Sequence, residues 1–475
     1  MGSPWPSSPP TGAQTAAFAD AVVKPYWLDV LPPREPRPRL EGPSEADLCI
    51  VGGGFTGLWA ALHAKADDPA RDVLLLEAET VGFGASGRNG GFSLGSLTHG
   101  IENGLARFAD EMPQLERLGH ENFEGFVADI ERLGIDCGLE LTGDLAVALE
   151  PHEVAWLGEG AELLERYGHD YELFDRDTVR AEVASPTYLG GLWDKTDAAV
   201  VDPGRLAIGL ADAALASGVR LHERSPATKL EDDGVGVRVL TPGGHVRARR
   251  VLLATSAYPP LLRAIRRYVA PVYDYALMTE PLSPERRRSI GWKRRQGIGD
   301  CANQFHYYRL TEDDRILWGG YDAVYRYGGP VRPDLDDDLE TFAKLAQHFF
   351  TTFPQLDGVG FTHRWGGAID TCSRFSVFFG TAHGGKVAYA VGYTGLGVVA
   401  TRFGARVGLD LLDGRETEAT RLRYVRSKPV PFPPEPLRSG VIQLTRNRLD
   451  AADRNAGRRG LWLRSLDRLG LGFDS

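Results

Sequence analysis

Asp47-Leu48-Cys49-Ile50-Val51-Gly52-Gly53-Gly54-Phe55-Thr56-Gly57-Leu58 is the stretch whose reading decides the fold, and Glu77 stands twenty places after Gly57. The apolar run Leu48 to Val51 feeds a glycine turn, and a small-residue helix through Ala64 leaves it. Gly52, Gly54 and Gly57 sit where a dinucleotide fingerprint needs a tight turn, close backbone approach to a pyrophosphate, and close helix-to-strand packing. The free N–H groups and dipole of the helix that Phe55 and Thr56 open would favour that anion. A second apolar strand, Val73 to Leu76, ends in Glu77 and Ala78, which places a carboxylate for ribose hydroxyls.

The totals bound the remaining choices. At 475 residues, 43% hydrophobic and 25% charged, the chain is long enough for two domains with full cores. A net charge of -10 excludes a protein built as a whole for a nucleic-acid backbone. Cys49, Cys137, Cys301 and Cys372 are scattered without a CxxC pair, so no metal site and no disulfide frame is expected, and a reducing, cytoplasmic setting is. Neither a secretory leader nor an apolar run of ~18 residues is seen, so no integral membrane association is expected.

Residues 1–44 form a Pro-, Ser- and Ala-rich extension, its first 20 or so residues expected to be mobile and the rest a strap. After Glu77, five glycines fall within residues 82–92, a run needing positive φ or close backbone approach, read as a second cofactor loop. Helical spacing is read over 103–134 and 151–182, and a helix entered at Asp202-Pro203 runs to about Ala216. Short strands at 219–223, 228–232, 236–240 and 245–249 lead into Val251-Leu252-Leu253-Ala254-Thr255. From Pro271 onward, aromatic-rich strands (272–279, 304–309, 315–321, 361–366) and one helix (339–350) suggest a separate antiparallel sheet. The expected division is α/β: a Rossmann-like cofactor domain (45–105, 198–262, 363–420) and an α+β substrate domain (106–197, 263–362). A basic extension, 421–475, is expected to pack on the protein's own acidic surface.

Ile50 to Gly57, Glu77, Gly84 to Gly91, Val251 to Thr255 and Gly392 to Gly397 together resemble the D-amino-acid-oxidase-like superfamily of FAD flavoproteins, with its GR2-type cofactor domain. The Gly-Ala-Ser-Gly-Arg-Asn-Gly-Gly run and Trp365-Gly366-Gly367 are most similar to its gamma-glutamylputrescine-oxidase-like branch. The resemblance implies FAD, held without a covalent bond. It implies Gly52, Gly54 and Gly57 at the pyrophosphate, Glu77 at the ribose, and Ser86 and Arg88 near the phosphates. Asn89, Gly90 and Gly91 would pass beside the isoalloxazine, and Ala227 and Thr255 would complete the seat. Gly392, Thr394, Gly395, Leu396 and Gly397 would close over the pyrimidine edge, with a helix starting after Thr394 aimed at the ring to stabilise its reduced anion.

The pattern also departs from the family. Amino-acid oxidases of this family clamp the substrate carboxylate with the arginine of a Trp-x-Gly-x-Arg-Pro segment, where this chain has Trp365-Gly366-Gly367-Ala368-Ile369-Asp370. Isoleucine cannot bind a carboxylate, so the site suits an amine, with Asp370 as cation partner or as a turn cap. The strand Arg315 to Tyr321 lacks the lysine that sarcosine-oxidase-like members use with oxygen, so the acceptor is oxygen or another oxidant. Around the pocket, either Phe305, Tyr307 and Arg309 or His306 and Tyr308 face inward, beside Tyr273 and Tyr275. His306, Tyr308, Arg309 and Asp370 are the candidate catalytic side chains. The expected activity is hydride transfer from an amine to flavin N5, giving an imine and then an aldehyde. A D-amino-acid or glycine oxidase or dehydrogenase, and a non-catalytic flavin-binding partner subunit, are the other readings. The oligomeric state is not legible in the sequence.

Overall fold

Four consecutive apolar residues of a strand can all be buried only where both faces of the sheet are covered, and Leu48 to Val51 meet that condition. In the computed structural model, which describes residues 4–471, they end the strand Gly42–Val51. Leu48 and Ile50 enter one core, against helices, while Cys49 and Val51 enter another on the opposite face. Val73–Leu76 and Gly244–Leu253 flank this strand in parallel, and Arg220–His222 and Val387–Val391 extend the sheet outward. Helix Phe55–Asp67 makes the crossover and packs with Pro203–Ala216 and Ala400–Asp413 on one face. Antiparallel strands Lys229–Asp232 and Val237–Thr241 complete the sheet beyond Gly244–Leu253.

A second, mixed sheet stands against the first. Its central strands are Ala270–Thr279, Ile316–Gly320 and His306–Leu310, with Phe361–Thr371 on one side and Gly297–Asp300 and Asp144–Ala148 on the other. Helix Leu339–Thr352 buries Phe342, Leu345 and Phe349 on its outer face, leaving the inner face toward the first sheet.

Several expectations change. Phe361–Thr371 pairs along its length with Ala270–Thr279, so the segment around Trp365 belongs to the second sheet, and the chain rejoins the first only at Phe378–Ala382. Helix Met112–Leu133, read with the substrate domain, buries Phe123, Phe126 and Ile130 in the cofactor-domain core. The helical reading over 151–182 is broken by strand Tyr171–Phe174, which pairs with Gly190–Asp194. The N-terminal extension is anchored, because it carries apolar side chains that the second sheet buries. Thr11 caps helix Gly12–Ala16, Phe18 is buried, and Val22–Val23 pairs with the edge of the sheet. The basic tail forms helices Leu437–Asp453 and Leu461–Arg468 and packs on the protein itself, where Arg446 pairs with the buried Asp322 rather than with an exposed acidic surface. Among the described residues, no helix is long and apolar enough to cross a membrane.

The crossover helix leaves the sheet so closely that a Cβ at Gly57 would lie 2.0 Å from the Gly52 carbonyl oxygen. Gly57→Ala is expected to cost ~1–3 kcal/mol through overpacking. Chemical denaturation measures it, and an unchanged unfolding free energy would contradict the contact.

Candidate active site

The glycine turn leaves the helix end bare. Gly54 occupies the N-cap position of Phe55–Asp67 without a side-chain bond, so the first turn's amides must find partners elsewhere. One does so inside the protein: Phe55 N donates to Ser86 Oγ at 2.9 Å. Gly52 has φ +116°, and a Cβ there would meet the Ala254 carbonyl at 2.3 Å. Glu77, half-buried at the end of the second strand, accepts from Gly53 N at 2.6 Å and Glu79 N at 2.9 Å. Burial raises its pKa, and the two amides oppose the rise.

The glycine-rich run is a braced loop. Asn89 Nδ2 donates to the carbonyls of Ala85 and Ser86, and its Oδ1 accepts from Gly91 N. Two buried tryptophans hold it from outside: Trp27 Nε1 donates to Asn89 O, and Trp365 Nε1 to Arg88 O, each at 2.9 Å. Trp27 lies in the N-terminal extension, which therefore supports the site. The Arg88 guanidinium is committed to Asp336, Gly366 O and Phe83 O. It pins the loop to the second sheet while Arg88 still lines the cavity between Ser86 and Asn89.

A third segment closes the site. Gly392 and Gly395 have φ +89° and +91°, and Thr394 between them has φ +55°. Asp370 holds this turn by accepting from Gly392 N at 2.6 Å, with the amides of Tyr393 and Thr394 also favouring its charge. Burial, the largest influence, pushes its pKa up to about 6. Asp370 thus serves as the turn cap, and it also lines the cavity. Tyr393 reaches back to accept from the Thr56 hydroxyl at 3.0 Å, tying the turn to the first helix. The following helix begins at Ala400 rather than directly after Thr394, because the glycine turn and a second turn come first.

These segments surround one cavity of about 1220 Å³. Gly52, Gly54, Phe55, Thr56, Glu77, Ala78, Ser86, Asn89 and Gly90 line it, as do Ala227, Thr255, Thr394, Gly395, Leu396 and Gly397. Gly57, Gly91 and Gly392 lie behind the wall, where an added Cβ would strike Gly52 O, Val201 O or Phe378. Cys372 is buried and donates its thiol to Ser376 O.

Strand alternation decides the opposite wall. Phe305 and Tyr307 line the cavity. His306 and Tyr308 point into the core, which corrects their candidacy as catalytic groups. His306 lies among Trp5, Trp318 and Tyr321, bonded to Asp300 and His348, and burial lowers its pKa to about 3. Tyr308 bonds Tyr188. Arg309 shares the face of Tyr307 but is buried beyond the cavity, donating to Val201 O and Leu310 O under Trp27. It therefore cannot reach a substrate. Tyr273 and Tyr275 send their hydroxyls to the carbonyls of Arg332 and Leu335. All three residues line the cavity, and the Asp274 carboxylate between them accepts from Tyr307 Oη at 2.5 Å. Sequence reasoning passed over Asp274, although a lone acid in an apolar, alternating strand was the available signal.

Residues 47–410 match the family model described as FAD dependent oxidoreductase, DAO. The chain belongs to that family. It is 36% identical over 395 residues to gamma-glutamylputrescine oxidoreductase of Escherichia coli K12, covering 82% of this chain and 88% of that protein. A probable oxidoreductase, OrdL, of Haemophilus influenzae is 29% identical over 402 residues, with the same shares covered. Among solved structures, glycine oxidase from Geobacillus kaustophilus superposes with TM-score 0.65 at 20% identity, covering 81% of this chain and 99% of that one. The cofactor is therefore FAD. The residues present fit it: an uncapped helix end, a carboxylate beside the second strand, and glycines where a Cβ would fill the wall.

Asp370→Ala removes the acceptor for the Gly392 amide. A loss of about 1–3 kcal/mol per unpaired buried donor is expected. Thermal unfolding of the holoprotein reads it, and a midpoint equal to the parent's would contradict the capping role.

Proposed function

We propose that this chain is an FAD-dependent oxidase or dehydrogenase of a primary or secondary amine, with gamma-glutamylputrescine or a similar amine as its substrate. The observation that carries this reading is Ile369. Its side chain faces the cavity turn, with Cδ1 3.8 Å from a Cβ built at Gly395, at the position where a carboxylate-clamping arginine would stand. The arginines that line the cavity are already engaged, Arg88 with Asp336 and two carbonyls and Arg446 with Asp322, and Arg309 behind the wall is held by two carbonyls. An α-carboxylate placed there would lose its water without gaining a cation.

FAD, when bound, supplies a two-electron acceptor for a carbon–nitrogen single bond. The protein's part is to bind and to orient. The amides opening Phe55–Asp67 would face the pyrophosphate, and Glu77 the ribose hydroxyls. The braced loop Asn89 to Gly91 and the turn Thr394 to Gly397 would flank the ring system from two sides. Phe92, Phe305 and Tyr307 supply an aromatic wall that keeps water from the reacting carbon. The oxidised substrate, an imine, hydrolyses to an aldehyde and ammonia or a smaller amine, and the electrons pass to oxygen or another acceptor.

Glu77→Ala is expected to weaken FAD retention at least about tenfold, since hydrogen bonds to a charged group contribute ~1.5–3 kcal/mol. Flavin absorbance after gel filtration measures this, and parent-like flavin content would count against the ribose placement. Under anaerobic conditions the yellow colour should bleach with gamma-glutamylputrescine and not with D-alanine. Bleaching by D-alanine alone would instead favour an amino-acid oxidase, and no bleaching by any amine a non-catalytic role.

A further inference from the structure

We infer that Asp274, oriented by Tyr307, is the group that anchors the substrate's amine nitrogen as an ammonium. The inference rests on the amine reading above and names the recognition element within it.

Asp274 sits in the middle of Ala270–Thr279, on the face that turns toward the cofactor domain. Its neighbours on that face, Val272 and Ala276, are apolar, so the carboxylate is the polar feature of this strand's inner surface. Tyr307 donates to it at 2.5 Å from two strands away. The Tyr307 ring is in turn fixed. It lies edge-on to Phe92 with centroids 5.8 Å apart, over Gly319, and within 3.0 Å of where a Cβ of Gly90 would be. Asp274 is thereby set opposite the braced loop Asn89 to Gly91, the segment that would flank the ring system.

The carboxylate has bonds but no counter-charge. Besides Tyr307, the backbone amides of Tyr275 and Gly320 favour its charged form, and among the described residues no arginine, lysine or histidine lies within salt-bridge distance. Burial is the largest influence on it, raising its pKa to about 6, with Asp322 adding repulsion. Asp322 differs in kind. It lines the same cavity but is neutralised by Arg446 at 2.5 Å and approached by Lys344 at 3.7 Å. A charged group kept in a cavity without a partner is costly unless something cationic arrives, and a carboxylate has lone pairs to spare for an N–H donor. An alkylammonium meets that need with a charge-assisted hydrogen bond and gives up its extra proton to water before the hydride leaves, since only the free amine has the lone pair that becomes the imine; a carboxylate ligand would be repelled.

The test uses the FAD-loaded enzyme and anaerobic rapid mixing with gamma-glutamylputrescine. Asp274→Asn should raise the half-saturating concentration at least about tenfold, with a smaller change in the limiting rate of flavin bleaching. Inhibition by tert-butylammonium, which keeps its N–H donors but has no hydrogen to lose from the carbon next to nitrogen, should weaken in the same variant, while inhibition by neutral tert-butanol stays as in the parent. A merely structural disturbance would move both inhibitors together. Should Asp274→Asn fail to hold FAD, Tyr307→Phe keeps the test, with a rise in half-saturation of about two- to fivefold expected. Parent-like half-saturation and parent-like tert-butylammonium inhibition would overturn the assignment while leaving the amine reading intact. A parent enzyme that no amine bleaches would overturn both.

Discussion

Backbone must touch backbone where the first sheet meets its first helix. Gly57 lies against the Gly52 carbonyl, and Gly52 against that of Ala254, at separations that admit no Cβ. That closeness brings the helix end over the tips of the parallel strands, where its unpaired amides and the Glu77 carboxylate converge on one volume. A bare helix end is unfavourable by itself, and a bound anion relieves it. The other parts of the site are arranged around this demand.

Two loops are held to the same volume from different directions. Arg88 ties the glycine-rich loop to Gly366 and Asp336, and the indoles of Trp27 and Trp365 fix its carbonyls. Asp370 fastens the later turn, and the Thr56–Tyr393 contact joins that turn to the first helix. Charged side chains that the sequence offers as catalytic candidates act here as struts, because a precise backbone needs buried acceptors and donors as much as a substrate does. The cavity is lined there by aromatic rings, Ile369 and a tyrosine-bound carboxylate, among other groups.

The cofactor half was legible because its signals are local. The glycine spacing, the four-residue apolar strand and Glu77 all lie within 31 residues and depend on backbone geometry that few sequences satisfy. The substrate half was less so. Which face of His306–Leu310 points inward is set by its register against Ile316–Gly320, and that depends on residues far away in the chain. Asp370 illustrates the same limit: its partner amide lies 22 residues on, across a turn whose shape the sequence alone does not dictate. The N-terminal extension looked unstructured by composition, yet Phe18, Tyr26 and Trp27 are buried against elements that occur much later.

The most direct measurement is the yield of flavin per chain after the purified protein is heat-denatured and the supernatant separated. One equivalent of free FAD in the supernatant, with a colourless pellet, is the result this account requires. A colourless protein that takes up no added FAD would contradict it at its root.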